Sequence, residues 1–483
     1  MKARKRLVWI SAALLMASLS TNCDSGTPMG DPPLPPIPEA LSVSEAMPKQ
    51  LKNSGGTSLT LTGTGFQTGA TVTIAGVPAQ DVVVVSSTTI TLKSPLKAAT
   101  CGLVPIEVTN PDGKAAMRGD LLTFLTNGLQ YSIPTPVTMG SYPRQVLTVD
   151  LNKDGKIDLI SANSGAANNA IAYRLGNGDG TFGNANFFTA GSSAFGVVVG
   201  DLNKDGNLDV GAVNSGSNDI SVRLATGPAT FGGSMNYNSG ADPRAITSGD
   251  VNGDGAPDLV AVSYGSNNVS VYLNKNDGSG TFNAQTTASV GTSPQHLALG
   301  DFNKDGKLDV VTANTNSNNL TVRLGIGNGT FGNPTAVGAG SSPVYVATAD
   351  WNKDGKLDVA AVNNGINAGT YMVSILLGDG AGGLGQAVNI DIGSNTVPRG
   401  AVVGDFNKDG NPDLAVAGYG NNTLPVLLGK GDGTFEPVVS LNGPANPQSL
   451  DSADLNGDGW PDLVATTSIT GSQNVSILLG QCK

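Results

Sequence analysis

Residues 150–158 read Asp-Leu-Asn-Lys-Asp-Gly-Lys-Ile-Asp, a nine-residue pattern of the form Asp-x-Asn-x-Asp-Gly-x-x-Asp. The pattern returns six more times, beginning at Asp201, Asp250, Asp301, Asp350, Asp405 and Asp454. The interval is about 50 residues, the length of one small antiparallel sheet with its turns. The last two-thirds of the chain is therefore a repeat array that carries one such loop in each unit.

Each loop offers the oxygen ligands that a hard divalent cation prefers. Side chains at positions one, three, five and nine, and the main-chain carbonyl at position seven, are typical calcium ligands. Three carboxylates this close together repel one another unless a cation lies between them. Calcium suits the loop because its coordination shell is flexible, whereas magnesium demands a tighter octahedron. The alternative is a set of Asp-Gly and Asn-rich turns without metal, although such turns need no Asp at positions one and nine.

We therefore predict about seven bound Ca²⁺ ions, one in each loop. The predicted side-chain ligands are Asp150, Asn152, Asp154, Asp158; Asp201, Asn203, Asp205, Asp209; Asp250, Asn252, Asp254, Asp258; Asp301, Asn303, Asp305, Asp309; Asp350, Asn352, Asp354, Asp358; Asp405, Asn407, Asp409, Asp413; and Asp454, Asn456, Asp458, Asp462. The predicted carbonyl ligands belong to Lys156, Asn207, Ala256, Lys307, Lys356, Asn411 and Trp460. Position seven varies in this way because only its carbonyl is used.

The residues around each loop predict four short strands. One apolar run precedes the loop, as in 146–149 and 344–347, another follows it in 309–314, and a third appears in 320–325 before a weak fourth. Four short strands per unit, separated by turn residues, are typical of one propeller blade. The last unit stops at 476–480 without a fourth strand, whereas 131–138 precedes the first loop and looks like a fourth strand without a blade. We expect an all-β, seven-bladed β-propeller over 128–483 whose two ends complete one blade.

Residues 131–480 resemble the FG-GAP/VCBS repeat family, the calcium-bearing β-propellers related to the integrin α-subunit head. Gly-Asp-Gly-Thr-Phe at 178–182 and 431–435, and Thr-Phe-Gly at 330–332, carry the resemblance. The Gly-Ala-Pro element of the integrin form is absent, unit two has Thr-Gly-Pro-Ala-Thr-Phe at 226–231, and unit five has Gly-Ala-Gly-Gly-Leu at 380–384. The resemblance implies the fold and the metal chemistry rather than the function of integrins.

The chain begins with an export signal. Residues 1–22 contain Lys2, Arg4, Lys5 and Arg6 and then an apolar stretch that is too short to span a bilayer comfortably. Cys23 follows where a bacterial lipoprotein places its lipidated cysteine, with ordinary cleavage after Ser20 as the alternative. Residues 23–37 are rich in Pro, Gly and Ser and suit a tether. We expect an exported, lipid-anchored protein of the bacterial cell envelope or cell surface.

Residues 38–127 read as a separate all-β module. The stretches 55–66, 70–78 and 106–113 alternate in the way that sandwich strands do. The same stretches resemble the IPT/TIG family of immunoglobulin-like domains, which implies an immunoglobulin-like β-sandwich that acts as a spacer ahead of the propeller. We expect no chemistry in this module.

The charge of the chain indicates which classes of partner it can bind. The net charge of −11 becomes about −15 without the four signal cations, and seven calcium ions bring it to about −1. The chain has no basic stripe for nucleic acid.

If Cys23 is lipidated, Cys101 and Cys482 remain as a pair in an oxidising compartment. Both are expected on the calcium-loop side of the propeller, so we predict a Cys101–Cys482 disulfide, with two unpaired thiols as the alternative.

A candidate ligand site recurs once per unit. A proline stands seven residues ahead of the metal loop in six units, and the residues behind it should ring the mouth of the central channel. The ring candidates are Arg144, Arg244, Gln295, Tyr345, Arg399 and Gln448. Three arginines with Tyr and Gln suit a carboxylate-bearing glycan or an acidic protein loop. Scattered, solvated surface on a Pro-fixed turn is the alternative.

These features favour binding over catalysis. His296 is the only histidine, and nearly every clustered acid is assigned to metal, so a His-rich zinc site is excluded and a Ser-His-Asp set depends on one residue. We expect a monomeric, calcium-stabilised binding or adhesion protein, not an enzyme. Its ligand is expected to be a glycan or an envelope or extracellular protein, and the lipid anchor its only membrane contact. The alternatives are a carbohydrate-active enzyme or lectin on the same scaffold, and a purely structural envelope component.

Overall fold

A computed structural model describes residues 39–52, 55–95, 102–125, 129–165, 170–365, 371–468 and 474–481. All regular secondary structure within these ranges consists of β-strands, so the expected all-β class is confirmed. Among the described residues there is no helix with the length and apolar character needed to cross a membrane.

The first nine strands form two sheets that share one apolar core. They are β1 (Ser42–Met47), β2 (Gln50–Lys52), β3 (Ser58–Thr64), β4 (Thr71–Ile74), β5 (Val77–Pro78), β6 (Gln80–Ser86), β7 (Thr89–Lys93), β8 (Gly102–Thr109) and β9 (Ala115–Leu125). One sheet has the order β1-β3-β7-β6 and the other β2-β9-β8-β4-β5. In β3, Leu59 and Leu61 are buried while Ser58, Thr60 and Thr62 are exposed. This alternation places one face of each sheet in a single buried cluster.

The other 28 strands form seven four-stranded antiparallel sheets within the described residues. Their first strands are β11 (Pro143–Val149), β15 (Ala194–Gly200), β19 (Pro243–Gly249), β23 (Pro294–Gly300), β27 (Pro343–Ala349), β31 (Pro398–Gly404) and β35 (Pro447–Ala453). The second strands are β12 (Asp158–Asn163), β16 (Asp209–Asn214), β20 (Asp258–Ser263), β24 (Asp309–Asn314), β28 (Asp358–Asn363), β32 (Asp413–Gly418) and β36 (Asp462–Thr467).

The third strands are β13 (Ile171–Arg174), β17 (Asp219–Gly227), β21 (Asn268–Tyr272), β25 (Asn319–Arg323), β29 (Met372–Leu376), β33 (Thr423–Leu427) and β37 (Asn474–Leu478). The fourth strands are β14 (Asn186–Phe188), β18 (Thr230–Asn238), β22 (Thr286–Ser289), β26 (Thr335–Gly338), β30 (Val388–Asp391), β34 (Val439–Asn442) and β10 (Thr135–Thr138). In the second sheet β17 and β18 are longer than their counterparts because Gly227 pairs with Thr230. The unusual sequence at 226–231 thus forms an extended hairpin.

Each second strand is buried along its whole length, since neighbouring sheets cover both of its faces. Burial on both faces explains why these strands read as continuous runs of Val, Leu, Ile and Ala rather than as an alternation. The first strands begin at a proline in six sheets, and the pairing register shifts directly after it, as between Pro143 and Gln145. Proline has no N–H to donate to the ladder, so it starts the strand and the irregularity follows.

The sheets close into a ring. The seven first strands contact one another in succession, and β35 contacts β11. Seven buried clusters each join two neighbouring sheets, and one of them packs Val146 and Leu159 of the first sheet against Val464 and Val475 of the last. This cyclic succession is the arrangement of a β-propeller.

The predicted closure of the ring by the two ends of the repeat array is confirmed. Strand β10 pairs antiparallel with β37, with Thr135 opposite Ile477. A further bridge joins Tyr131 to Gly480. The early strand therefore supplies the fourth strand that the last unit lacks, and the hydrogen-bonding edge of β37 is covered.

Candidate functional site

The seven repeated loops occupy one structural position in every sheet, between the first and second strands. Each loop begins directly after the first strand ends, and its ninth residue is the first residue of the second strand. These ninth residues have no exposed surface, and they are Asp158, Asp209, Asp258, Asp309, Asp358, Asp413 and Asp462. The structure thus places all seven predicted metal loops at one end of the ring.

Within each loop, the side chains at positions one, three and five hold the loop's own backbone. In the first loop the Asp150 carboxylate accepts the N–H of Asp154 at 3.0 Å and that of Gly155 at 2.8 Å. Asn152 Oδ1 also accepts the Asp154 N–H, and Asp154 Oδ1 accepts the N–H of Lys156 at 2.9 Å. The bonds from position six to position one, and from position seven to position five, occur in all seven loops.

The glycine at position six is required by backbone conformation rather than by space. Gly155 has a φ of 84°, and a Cβ built on it meets no atom within 4 Å. A left-handed φ is easily reached only by glycine. The sharp turn that this glycine makes lets the loop return to the sheet within nine residues.

The ninth aspartate has a role that sequence reasoning missed. One oxygen of the Asp158 carboxylate accepts the N–H of Leu151 at 2.8 Å, and the other accepts the N–H of Gly176 at 2.7 Å. The same two bonds occur in all seven sheets, one to the second loop residue and one to the chain just after the third strand or, in the second sheet, to Ala225 near the end of the longer β17. The carboxylate therefore ties the loop to the end of the third strand. The sequence does carry a signal of this role: position nine is Asp in all seven loops, although a turn does not require Asp there.

The loop residues fit calcium in the chemistry of their donors. Each loop contributes only oxygen ligands, and at position seven the side chains of Ala256 and Trp460 have no oxygen, which leaves the main-chain carbonyl. Among the described residues, no group of three or more His, Cys, Asp or Glu side chains stands in an arrangement that could hold a metal. The carboxylates are instead directed at backbone N–H groups. Since each carboxylate oxygen has two lone pairs, an oxygen that accepts an N–H still has capacity for a second partner.

Burial shifts the titration of the ninth aspartates. Burial raises the pKa of Asp413 to about 7 and the pKa values of Asp258 and Asp462 to about 6. The backbone N–H groups that donate to each carboxylate lower its pKa, but by less than burial raises it. The pKa values of the other four are raised for the same reason. A calcium ion acts in the opposite sense because it favours the ionised carboxylate.

These shifts predict how the calcium-free chain responds to pH. The folded-state pKa values exceed the ~3.9 of an unfolded Asp, so the protonated carboxyls stabilise the fold below pH ~4 and that contribution is lost as the pH rises to about 7. We expect the melting temperature in chelator to fall between pH 4.5 and 8, and to rise over this range in calcium. Burial lowers the pKa of His296 to about 3, which gives an opposite slope, but from one group against nine, since burial also raises the pKa values of Asp405 and Asp451.

Thermal melts at fixed ionic strength, with and without chelator, measure this prediction. Exposed acids whose pKa is lowered do not disturb the test. A backbone N–H, for example, lowers the pKa of Asp305, so this group titrates below the window. A calcium-free chain that gains stability between pH 5 and 8 would contradict the assignment of the buried carboxyls.

The six ring candidates line a single cavity at the other end of the first strands. The cavity measures about 250 Å³, and Arg144, Gln145, Phe195, Arg244, Ala245, Gln295, His296, Val344, Tyr345, Arg399, Tyr419, Gln448 and Ser449 line it. We refer to it as the channel cavity. Arg144 lies six residues before Asp150, which corresponds to roughly 20 Å along an extended strand. The channel cavity and the metal loops therefore lie at opposite ends of the first strands.

Two aromatic residues of the channel cavity escaped the sequence analysis. Phe195 stands six residues before its metal loop, as Arg144 and Arg244 do, but its unit has Ala194 where the others have proline. Phe195 is found if the sixth residue before each metal loop is taken, instead of the residue after each proline. Tyr419 follows a second strand and comes from a different part of its sheet. No sequence signal connects it to the ring.

Aromatic rings and polar contacts fix the arginines in the channel cavity. The Arg244 guanidinium lies 4.6 Å from the centre of the Phe195 ring, 4.9 Å from that of Tyr264, and 2.6 Å from Asp242. Arg144 lies over the same Phe195 ring at 5.3 Å. Such stacking is typical of a guanidinium held with its N–H groups in a fixed direction.

Arg144 is also fixed by polar neighbours on two different sheets. It donates from Nε to Ser164 Oγ at 2.9 Å and from Nη1 to Gln448 Oε1 at 3.1 Å. Burial lowers its pKa, and the positive charges of Arg244 and Arg399 lower it further. The three guanidiniums therefore repel one another in a partly desolvated space.

Deeper polar groups complete the channel. His296 stacks on Tyr345 with ring centroids 3.6 Å apart, and its lowered pKa keeps the imidazole neutral. Asp451 on β35 accepts hydrogen bonds from the N–H of Thr148 at 2.6 Å and from its hydroxyl at 2.9 Å. Burial raises the pKa of this carboxyl. The contact joins the last sheet to the first, so it helps to hold the ring closed.

Several predictions lie outside the described residues. They concern the export signal at 1–22, the tether at 23–37, the lipidation of Cys23 and the Cys101–Cys482 disulfide, because none of the three cysteines is described. All four stay predictions.

Comparison with known proteins identifies both modules. The family model for the FG-GAP-like repeat matches residues 150–212, 201–261, 250–312, 301–361 and 405–465. Together these spans cover more than half of the chain and include all seven loops. The break between 361 and 405 contains the divergent stretch at 380–384. The IPT/TIG domain model matches residues 41–125. No curated protein matches the chain.

Solved structures resemble the chain only distantly. An auxiliary nutrient binding protein from Bacteroides thetaiotaomicron is 12% identical, with a TM-score of 0.42 over 92% of this chain and 99% of that one. The periplasmic gluconolactonase of Pseudomonas aeruginosa is 14% identical, with a TM-score of 0.47 over 73% and 94%. The Dos1 propeller is 9% identical, with a TM-score of 0.44 over 91% and 95%. At these values none of them bears on function.

The family assignment therefore depends on the repeats. Every matched span runs from the first aspartate of one loop into the second strand of the next sheet, which is the unit that the fold repeats. The chain belongs to the family of FG-GAP-like repeat proteins, with an IPT/TIG domain ahead of its β-propeller.

Proposed function

We propose that this chain is an exported binding or adhesion protein of the bacterial cell envelope that recognises a glycan or protein ligand through the channel cavity. The observation that carries the proposal is the convergence of the ring residues. Six side chains spread over 305 residues of sequence, from Arg144 to Gln448, line one cavity of about 250 Å³. A concave site with a few convergent polar groups and aromatic walls is the usual form of a ligand site.

Calcium is part of this proposal as a structural element. Seven sheets form the ring, and we propose that they are the blades of a seven-bladed propeller in which one ion stiffens each blade. The ions bind about 20 Å from the channel cavity, at the other end of the first strands. Calcium therefore acts on ligand binding through the rigidity of the ring rather than by contact with the ligand.

The rest of the chain holds the propeller away from the membrane and exposes its channel cavity. We propose that 38–127 is an immunoglobulin-like sandwich that acts as a spacer, that 128–483 is the propeller, and that a lipid at Cys23 and the tether 23–37 attach both to a membrane. The two sheets that share one buried core support the sandwich. A monomer needs no partner to complete the channel cavity, because one chain supplies every residue that lines it.

The proposed role is recognition without catalysis. Within the channel cavity the neutral His296 is stacked on Tyr345, and on β35, outside the lining of the cavity, Asp451 is bonded to Thr148. These contacts suit a fixed wall better than a proton relay. A carbohydrate-active enzyme or lectin on the same scaffold, and a structural envelope component, are the competing functions, and each predicts a different result below.

Glycan-array binding and capture from envelope extract, each with calcium and with chelator, test the proposal. We expect calcium-dependent binding that Arg144→Gln lowers by at least ~10-fold, because a charge-assisted contact is lost. Arg118→Gln is the matched control, since it removes the same charge from an exposed Asp120 pair in the N-terminal module. Release of new reducing ends would favour the enzyme. Absence of any ligand, with a leaky envelope on deletion, would favour the structural component.

A further inference from the structure

The channel cavity carries more positive charge than its own residues neutralise. Three arginines line it, and the one carboxylate in an ion pair with any of them, among the described residues, is Asp242 on Arg244. Arg399 forms no hydrogen bond or ion pair with a described residue and contacts the Tyr419 ring at 5.3 Å. The site therefore has an unmatched positive charge next to aromatic surface.

Two buried donors in the same cavity also lack an acceptor. The Nε–H groups of Arg244 and Arg399 are buried and have no hydrogen-bond partner among the described residues. Arg144 uses Nε and Nη1 for Ser164 and Gln448, and its Nη2 makes no bond to a described residue. Buried donors are almost always paired in folded proteins. Oxygen atoms of a ligand in the cavity would supply acceptors for these donors.

We propose that the channel cavity binds one acidic sugar residue, a hexuronate, with its carboxylate held by Arg144, Arg244 and Arg399. This inference deepens the proposed function and rests on it, since it names the ligand of the same cavity. Planar carboxylates match the fork of a guanidinium. Three arginines against Asp242 leave a net positive charge, which an entering carboxylate neutralises in part.

The size of the cavity limits the ligand to about one sugar ring. Its volume of about 250 Å³ lies below the ~300–1,000 Å³ typical of sites for drug-sized ligands. A chain of sugars therefore places one residue in the cavity, and the rest of the chain lies over the mouth. The preferred position is the end of a glycan.

The other lining residues select a sugar over an acidic peptide side chain. Phe195 and Tyr419 stack on the arginines and line the cavity with the rest of their ring surface, and the C–H groups of a pyranose ring pack against aromatic surface of this kind. The Gln295 amide makes no hydrogen bond to a described residue, and it is placed to meet hydroxyl groups. An Asp or Glu side chain uses the arginines alone and leaves the aromatic wall and the amide without partners.

Isothermal titration of the calcium-loaded full chain tests the inference, with galacturonate, glucuronate, the two parent neutral sugars and glutamate as probes. We expect a uronate to bind at least ~10-fold more tightly than its neutral sugar and than glutamate. Arg399→Gln should weaken uronate binding by ~10-fold or more, while Arg118→Gln leaves it unchanged. Melting curves of both variants verify that the fold is intact.

A second set of measurements separates this inference from the proposed function. Gln295→Ala keeps every charge and every aromatic contact of the arginines and removes the amide, so it should weaken the binding of uronate more than that of glutamate. Equal binding of uronate and neutral sugar would overturn the carboxylate assignment, and equal binding of uronate and glutamate would overturn the sugar. If no uronate binds while capture from envelope extract still depends on Arg144, the inference is wrong and the proposed function stands. If neither is seen, both are wrong.

Discussion

In excess chelator, the melting temperature of the propeller is expected to fall by roughly 20 °C. An ion that binds only the folded state at 100 times its dissociation constant stabilises that state by about 2.7 kcal/mol, so seven loops contribute about 19 kcal/mol if the ring unfolds as one unit. A change of 1 kcal/mol shifts the melting temperature by ~2–4 °C for domains of ~150–250 residues and by less for a larger ring. The loss of this stabilisation is therefore the largest effect that any single condition should have.

The N-terminal module serves as an internal control for this experiment. It contains none of the seven loops, so its own unfolding transition should not move when calcium is removed. Calorimetry of the full chain in calcium, magnesium and chelator distinguishes the two transitions, and elemental analysis counts the ions per chain. Calcium should restore the propeller transition and magnesium should not, because magnesium tolerates the loop geometry poorly. A melting curve that chelator leaves unchanged, or a chain without stoichiometric metal, would contradict the calcium proposal.

Replacement of a ninth aspartate should destabilise the propeller even without calcium. Asp309→Ala removes the acceptor for two buried N–H groups, those of Phe302 at 2.8 Å and Gly325 at 2.7 Å. An unpaired buried N–H costs ~1–3 kcal/mol, so the free energy of unfolding should fall by ~2–6 kcal/mol in chelator as well as in calcium. The variant acts through the attachment of the loop to the third strand as well as through the metal.

Asp305→Ala is the matched comparison within the same loop. Asp305 is exposed, accepts the N–H of Lys307 at 3.0 Å and pairs with the Lys307 ammonium at 3.4 Å, contacts that contribute little at a surface. We expect Asp305→Ala to lower stability in calcium and to have almost no effect in chelator. Urea unfolding of both variants in both buffers measures the difference. If the two variants are equally stable in chelator, the structural role of the ninth aspartate is wrong.

The repeat loops show which features of the fold can be predicted from residues close together in the sequence. Asp-Gly and the alternating acids at 150–158 are enough to predict a turn between two strands, and the apolar runs on both sides mark β11 and β12. The continuous burial of the second strands likewise matches the run Asp-Val-Val-Thr-Ala-Asn at 309–314. These predictions succeed because each depends on residues within about ten positions of one another.

The ninth aspartate shows where local reasoning ends. Its place in the motif indicates a metal ligand, yet one of its two bonds goes to a residue 16–20 positions away, at or just beyond the end of the third strand. The pairing becomes visible only once the hairpin of the second and third strands is formed. The raised pKa of Asp413 has the same origin, since its cause is burial by neighbouring sheets.

The sequence by itself determined the all-β class, the repeat, the loop chemistry and the way the ends close the ring, because these follow from strand periodicity, turn residues and a missing strand. Only the tertiary structure decided which side chains meet in the channel cavity. Arg144 and Gln448 lie 304 positions apart and are bonded at 3.1 Å because the last sheet packs beside the first. Phe195 joins them because the ring brings equivalent positions of all seven sheets to one axis, and Tyr419 reaches the same cavity from the end of a second strand. No local sequence pattern predicts these contacts, because they form only between separate sheets.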